Sequence, residues 1–236
     1  MKINKIKFKI KHMKLPKLLD FFRWKIIDLY RFFKYPREVH LYGVRCICGL
    51  YGMGKTITMS KIALDLKDKY GDKIYLCSNF GLSIQDFEFN DIAQLIKQYD
   101  KPIIFLFDEV QNEFPSTDKV LPKGVRQALS LNRKGHGKMI YWASQDSELV
   151  HKTFRRLTIE YLEVKTIFKR YTRIRKYRAL DYSNLISQVD YKKRMKIHPV
   201  SKSSFIQSDY IRSLYNSYGW DNGEELSDSS GLRDKK

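Results

Sequence analysis

The chain has 236 residues with 45 Lys and Arg against 26 Asp and Glu, a formal net charge of +19. That length buries a proper core and points to one α/β domain with appendages, while the charge calls for a polyanionic partner, nucleic acid or an acidic membrane surface. Cys46, Cys48 and Cys77 fall in predicted strands without metal-ligand spacing, which speaks against a disulfide frame or a zinc site; with neither a signal peptide nor an 18-residue apolar stretch, a place in the cytoplasm is expected, either free or peripheral on the cytoplasmic face of the membrane.

Residues 1–37 carry twelve Lys or Arg against two acids, Asp20 and Asp28. Within them "KLLDFFRWKIIDLYRFFKY" repeats its polar positions at roughly helical spacing, and nearly everything else is Leu, Ile, Phe, Trp or Tyr. This predicts an amphipathic helix with a wide apolar face. The helix has two uses open to it: lying in an anionic membrane interface, or packing against the core or a partner subunit.

Residues 38–182 read as the core with a strand extension. "GVRCICG" at 43–49 alternates like a strand, and "CGLYGMGKTIT" follows it with the spacing G-x-x-x-x-G-K-T. Gly49, Gly52, Met53, Gly54, Lys55, Thr56 and Ile57 form this loop and the start of the helix behind it. Glycines let backbone N–H groups close around a phosphate chain; Lys55 sets an ammonium on the β- and γ-phosphates, and the Thr56 hydroxyl is offered to Mg²⁺. The helix expected over 55–71 points its positive end at the anion.

A strand over 73–79 and a helix over 89–100 follow. "KPIIFLFDEVQ" at 101–111 then gives five apolar residues before Asp108 and Glu109, as in a central parallel strand buried on both faces with its acids at the carboxyl edge. Asp108 is expected to hold the Mg²⁺ water shell and Glu109 to polarise the attacking water. A helix over 124–135 and a strand over 138–145 end on Gln145, an amide suited to sensing the γ-phosphate and the lytic water.

"FDEVQNEFPS", "ALSLNRKGHGKMIYWASQD" and "VHKTFRRLTIEYLEV" resemble the zonula-occludens-toxin-like ATPases, which include filamentous-phage assembly proteins and are similar to FtsK/HerA-type DNA pumps. The matching positions are Asp108, Glu109, Gln111, Phe114, Pro115, Asn132, Arg133, Gly135 and Gln145, with Val110 where Ala is commoner, and the likeness spans about residues 43–165. It implies a P-loop NTPase fold with a mostly parallel sheet, ATP and Mg²⁺ as cofactors, a homo-oligomeric ring, and single-stranded or circular phage-type DNA as cargo. An inner-membrane surface and phage coat or assembly proteins are further implied partners. Members usually carry a spanning helix after the core, which this chain lacks, and nothing in these residues supports a toxin activity.

The loop supplies Lys55 as its only evident cation at the γ-phosphate. A neighbour's arginine is therefore expected to complete the site, with Arg133, Arg155 and Arg156 as candidates, and Arg133 placed at the carboxyl edge of the sheet.

Beyond 157, alternation over "LTIEYLEVKTIFKRYTRIRKYRALDY" predicts a hairpin. Its second half, Lys169, Arg170, Arg173, Arg175, Lys176 and Arg178 with Tyr171 and Tyr177, reads either as a strip tracking nucleic-acid phosphates or as the solvated face of an edge strand. Residues 183–219 are expected to form a helical extension and 220–236 a disordered tail.

Overall fold

The computed structural model describes residues 17–34 and 39–216; the basic stretch 1–16 and the tail 220–236 lie outside them. The chain divides into two compact units at residues 38 and 39. In the first, α1 (Lys17–Lys34) is the expected amphipathic helix. Phe21, Trp24, Ile26 and Phe33 on it are all exposed, Phe33 to 78 %.

The second unit is built on one eight-stranded sheet. Its strands are β1 (Gly43–Cys48), β2 (Tyr75–Ser78), β3 (Phe87–Glu88), β4 (Ile103–Phe107), β5 (Lys138–Ala143), β6 (Thr158–Ile167), β7 (Tyr171–Arg178) and β8 (Ser201–Ile206). They run in the order β3-β2-β4-β5-β1-β6-β7-β8. Every pairing from β3 through β6 is parallel, and β7 and β8 add antiparallel to the far side. The apolar run of β4 is buried at every position, as a strand covered on both faces requires.

Helices cover both faces. On one face α2 (Lys55–Tyr70) presses Met59 and Ala63 onto Ile47, Ile104, Leu106 and Leu162. On the other, α3 (Ile92–Ile96), α4 (Lys123–Ser130) and α5 (Lys152–Leu157) contribute Leu95, Val125, Leu129 and Phe154 to a core with Phe105, Phe107 and Trp142. Aromatic rings continue that core outward: Phe107 meets Phe114 with centroids 6.0 Å apart, and Phe114 meets Phe154 at 4.8 Å. Phe114 thereby anchors the segment that leaves β4 carrying the two acids, and losing such a ring costs about 3–5 kcal/mol.

Two predicted helices are shorter than their sequence patterns. Asp91 starts α3 with a capping box, and the backbone turns extended at Lys97. After α4 the Asn132 side chain donates to the Leu129 carbonyl at 2.6 Å, and Gly135 and Gly137 take positive φ, so the chain leaves the helix before 135. The expected helical extension after 183 also contributes a strand. It holds the end of α6 (Ala179–Ser187), α7 (Tyr191–Met195), then β8, then α8 (Asp209–Ser213). β7 consequently lies inside the sheet, not at its edge, and β8 forms that edge with most of its residues exposed.

Candidate nucleotide-binding site

β1 ends at the start of the glycine loop. Gly52 and Gly54 take φ of 70° and 88°, the left-handed region where a side chain is strained, and Gly54 sits directly before α2. A Cβ on Gly54 would lie 2.6 Å from Thr166 Oγ1, so the position has no room for a side chain either. Thr166, near the end of β6, donates to the Met53 carbonyl at 2.9 Å and ties the loop to the hairpin. Lys55 is buried and donates to the Gly49 carbonyl at 3.3 Å, which folds the ammonium back over the loop.

The acid strand meets this loop from β4. Thr56 Oγ1 donates to Asp108 Oδ2 at 2.5 Å. Burial lifts the Asp108 carboxyl above its ordinary range, against the Thr56 hydroxyl, which lowers it. Asn79, just past β2, clamps the same residue: its Nδ2 donates to the Asp108 carbonyl at 3.0 Å, and its Oδ1 accepts from the Asp108 N–H at 2.8 Å. Two hard oxygen donors on Thr56 and Asp108 suit Mg²⁺, which takes few protein ligands and keeps several waters; when bound it neutralises phosphate charge.

Glu109 has φ 45° and ψ 53°, a left-handed conformation that costs a non-glycine residue about 1–2 kcal/mol. Its carboxylate is held between two amides. Gln111 Nε2 donates to Oε2 at 2.5 Å, and Gln145 Nε2, from the end of β5, donates to Oε1 at 3.2 Å. Strain at this residue aims the carboxylate, and the amides keep it there.

The cleft over these groups has a volume of about 920 Å³ and is lined by Gly52, Gly54, Lys55, Thr56, Asp108 and Glu109 among others. With the phosphate-type loop after β1, the acid at the end of β4 and β5 inserted between them, the architecture is decided. This is a P-loop NTPase fold. The sheet order of the P-loop fold places Gln145 on the strand between loop and acid, where it reaches the Glu109 carboxylate.

No protein-family model and no curated protein sequence matches the chain. Among solved structures it is similar to the N-terminal domain of zonular occludens toxin from Neisseria meningitidis, at 19% identity and a TM-score of 0.48, over 75% of this chain and 100% of that one. It is also similar to the genome packaging NTPase B204 of Sulfolobus turreted icosahedral virus 2 with ATP-gammaS, at 13% identity and a TM-score of 0.43, over 58% and 93% of the two chains. The VirB11 ATPase of the Brucella suis type IV secretion system aligns at 13% identity and a TM-score of 0.34, over 67% and 55%. These are likenesses at low identity, and the chemistry of the site stands on its own residues.

The arginine candidates fall elsewhere. Arg133 lies in the segment 131–137 that precedes β5, and Gly137 O there accepts from the first residue of β4, Ile103. In a parallel P-loop sheet this is the amino edge, opposite the phosphate loop, so the expected carboxyl-edge position is corrected. A helix crossing back between parallel strands must end where the next strand begins. Arg155 and Arg156 likewise close α5 just before the amino end of β6. None of the three lines the cleft.

The cleft does not rely on Lys55 alone. Lys169, in the β6–β7 turn with φ 62°, and Arg212 on α8 line it too. Arg212 donates to the Lys169 carbonyl at 2.5 Å and to Gln207 Oε1 at 2.9 Å, while Gln207 Nε2 reaches Thr166 at 3.2 Å. The expected basic strip is thereby divided, because Lys176 faces Glu160 at 3.3 Å and Arg170 pairs with Asp209 at 2.8 Å. Asn79, Gln207 and Arg212 are not legible as site residues, since Asp108, Thr166 and Lys169, which they reach, lie 29, 41 and 43 positions away along the chain.

Proposed function

We propose that this chain is an ATP-hydrolysing motor of phage-assembly type that moves a phage genome during packaging, extrusion or virion assembly. The observation that carries it is the Thr56–Asp108 hydrogen bond beside an amide-held Glu109, the arrangement a hydrolytic P-loop site requires. In this reading Lys55, Lys169 and Arg212 bind the triphosphate and Thr56 and Asp108 hold Mg²⁺. Glu109 takes a proton from the attacking water, while Gln145 orients the carboxylate and reports the γ-phosphate. The net charge of +19 and the motif resemblance over residues 43–165 support DNA as cargo and a ring of identical subunits, in which Arg133, Arg155 or Arg156 serves a neighbour's site.

The exposed Phe21, Trp24, Ile26 and Phe33 on a basic helix support attachment of α1 to an anionic membrane. Among the described residues no helix is long and apolar enough to cross one. Deleting residues 1–36 should release the protein from anionic liposomes. Undiminished flotation with the liposomes would assign α1 to protein packing.

A motor hydrolyses ATP faster on DNA, and a nucleotide-gated scaffold does not. Steady-state hydrolysis with and without circular single-stranded DNA is the test. Stimulation of several-fold is expected; a slow rate indifferent to DNA would replace the motor with a scaffold, and stimulation by duplex DNA alone would favour a plasmid or chromosomal translocase.

A further inference from the structure

Behind the phosphate loop, on the sheet face away from α2, lies a second cavity of about 520 Å³ that shares no lining residue with the nucleotide cleft. The register of the hairpin builds its charged side. Lys165 pairs with Arg173 and Glu163 with Arg175, so these four side chains share one face, and the next pairing brings Lys202 of β8 beside Arg175. Lys165, Arg173 and Arg175 line the cavity with Glu163 and Asp146 as its acids. Asp146 is turned to its own cap, accepting from the Glu148 N–H at 2.8 Å, and Glu163 stays 3.8 Å from Arg175. The balance on this wall is positive.

Arg175 carries a second sign. Its Nε is buried and has no hydrogen-bond partner among the described residues, and a buried donor left unpaired is costly unless a ligand accepts from it. The rest of the lining includes apolar and aromatic groups: Cys48, Met53, Ile186 and Tyr182, whose ring stacks on Tyr161 with centroids 4.5 Å apart. Cations together with aromatic and apolar side chains in one cavity match a phosphate joined to a base, and the volume lies within the roughly 300–1,000 Å³ of small-ligand sites.

We infer that this cavity is a second site, distinct from the ATP cleft, that takes one nucleotide unit with its phosphate on Arg173 and Arg175 and its base toward Tyr182 and Ile186. The unit belongs to a single strand or to a free nucleotide, and the inference gives the DNA cargo of the proposed motor a place on the chain. Binding at this cavity does not require hydrolysis, so it is measured apart from it.

The experiment follows a fluorescein-labelled 15-mer of thymidylate by anisotropy, on the full chain with and without saturating Mg·ATPγS, whose own binding is measured separately. Arg173→Gln with Arg175→Gln should weaken the oligonucleotide at least tenfold and flatten the salt slope by about 0.7, the share of the one phosphate they hold. Ile186→Asp, at a rim position 63 % exposed, should weaken it at least threefold, and it carries the test if the double variant does not fold. Lys192→Gln with Lys193→Gln, on exposed α7, should stay within twofold of wild type. A 4-thiothymidine photo-crosslink should map to Met53, Tyr182 or Ile186. Displacement by oligonucleotide alone assigns the unit to a strand, and equal displacement by thymidine monophosphate assigns it to a free nucleotide; either supports the site. A folded double variant with wild-type affinity, or exclusion of the oligonucleotide by ATPγS, would overturn it. Failure to bind ATPγS would instead strike the ATPase reading and leave this test standing.

Discussion

Gln145 Nε2 donates to Glu109 Oε1 at 3.2 Å, joining the ends of β5 and β4. The bond makes an amide, which has no proton chemistry of its own, responsible for where the proposed base points. Gln145→Ala should therefore lower kcat about 10- to 100-fold while changing the Kd for ATP less than about threefold. Single-turnover and equilibrium binding measurements separate the two. A loss confined to Kd would make Gln145 a binding residue only.

The strained backbone at Glu109 is a stability cost kept for function. At φ 45° a glycine escapes the steric penalty that any Cβ meets. Glu109→Gly should therefore be about 1 kcal/mol more stable to urea than Glu109→Ala, with hydrolysis lost in both. The reverse order would mean that the left-handed geometry is not held in the folded protein.

Arg212 brings the C-terminal segment into the lining of the candidate nucleotide cleft. Replacing it with Ala removes a charge-assisted contact and should raise the Kd for ATP about tenfold, equivalent to about 1.4 kcal/mol, with kcat at saturation within about threefold. Isothermal titration reads the first and steady-state kinetics the second. An unchanged Kd would detach Arg212 from the nucleotide.

Much of this site was readable along the chain because its main pieces are contiguous. The glycine loop with Lys55 and Thr56, and the apolar strand ending in Asp108 and Glu109, each fit in about a dozen residues, so local spacing carries them. The β6–β7 hairpin was equally legible from its alternation. Contacts formed only by topology were not: Asn79 reaches Asp108 from a neighbouring strand, and Arg212 reaches the cleft because β8 returns the chain beside β7. A six-residue strand placed after the basic run Lys192, Lys193, Arg194 and Lys196 also hides its own role, and β8 reads as helix because most of its residues are exposed at an edge and show no two-faced pattern. Arg133 was misplaced for a different reason. The parallel crossover fixes it at the amino edge, a consequence of connection geometry and not of any property of arginine.

Lys138 supplies a pH signature away from the site. It is buried at the start of β5, its Nζ donates to the Leu95 and Ile96 carbonyls at 2.7 and 3.2 Å, and burial pushes its pKa down to about 8 from 10.5. Between those values the unfolded chain binds a proton that the folded chain does not. The contribution of Lys138 to stability is therefore lowest below pH 8 and rises between pH 8 and pH 10.5. The difference in urea stability between wild type and Lys138→Met should follow that rise. A difference constant from pH 7 to 10.5 would show that the ammonium titrates normally in place.

The central claim is that Lys55 holds the nucleotide and Glu109 activates the water. ATP binding and turnover measured side by side for the wild type, Lys55→Ala and Glu109→Gln test it most directly. Lys55→Ala should lose binding or turnover. Glu109→Gln should bind ATP like the wild type and hydrolyse it at least about 100-fold more slowly, because the glutamine keeps the shape and hydrogen bonding of the carboxylate but cannot accept the proton. Equal turnover in the wild type and Glu109→Gln would contradict the account.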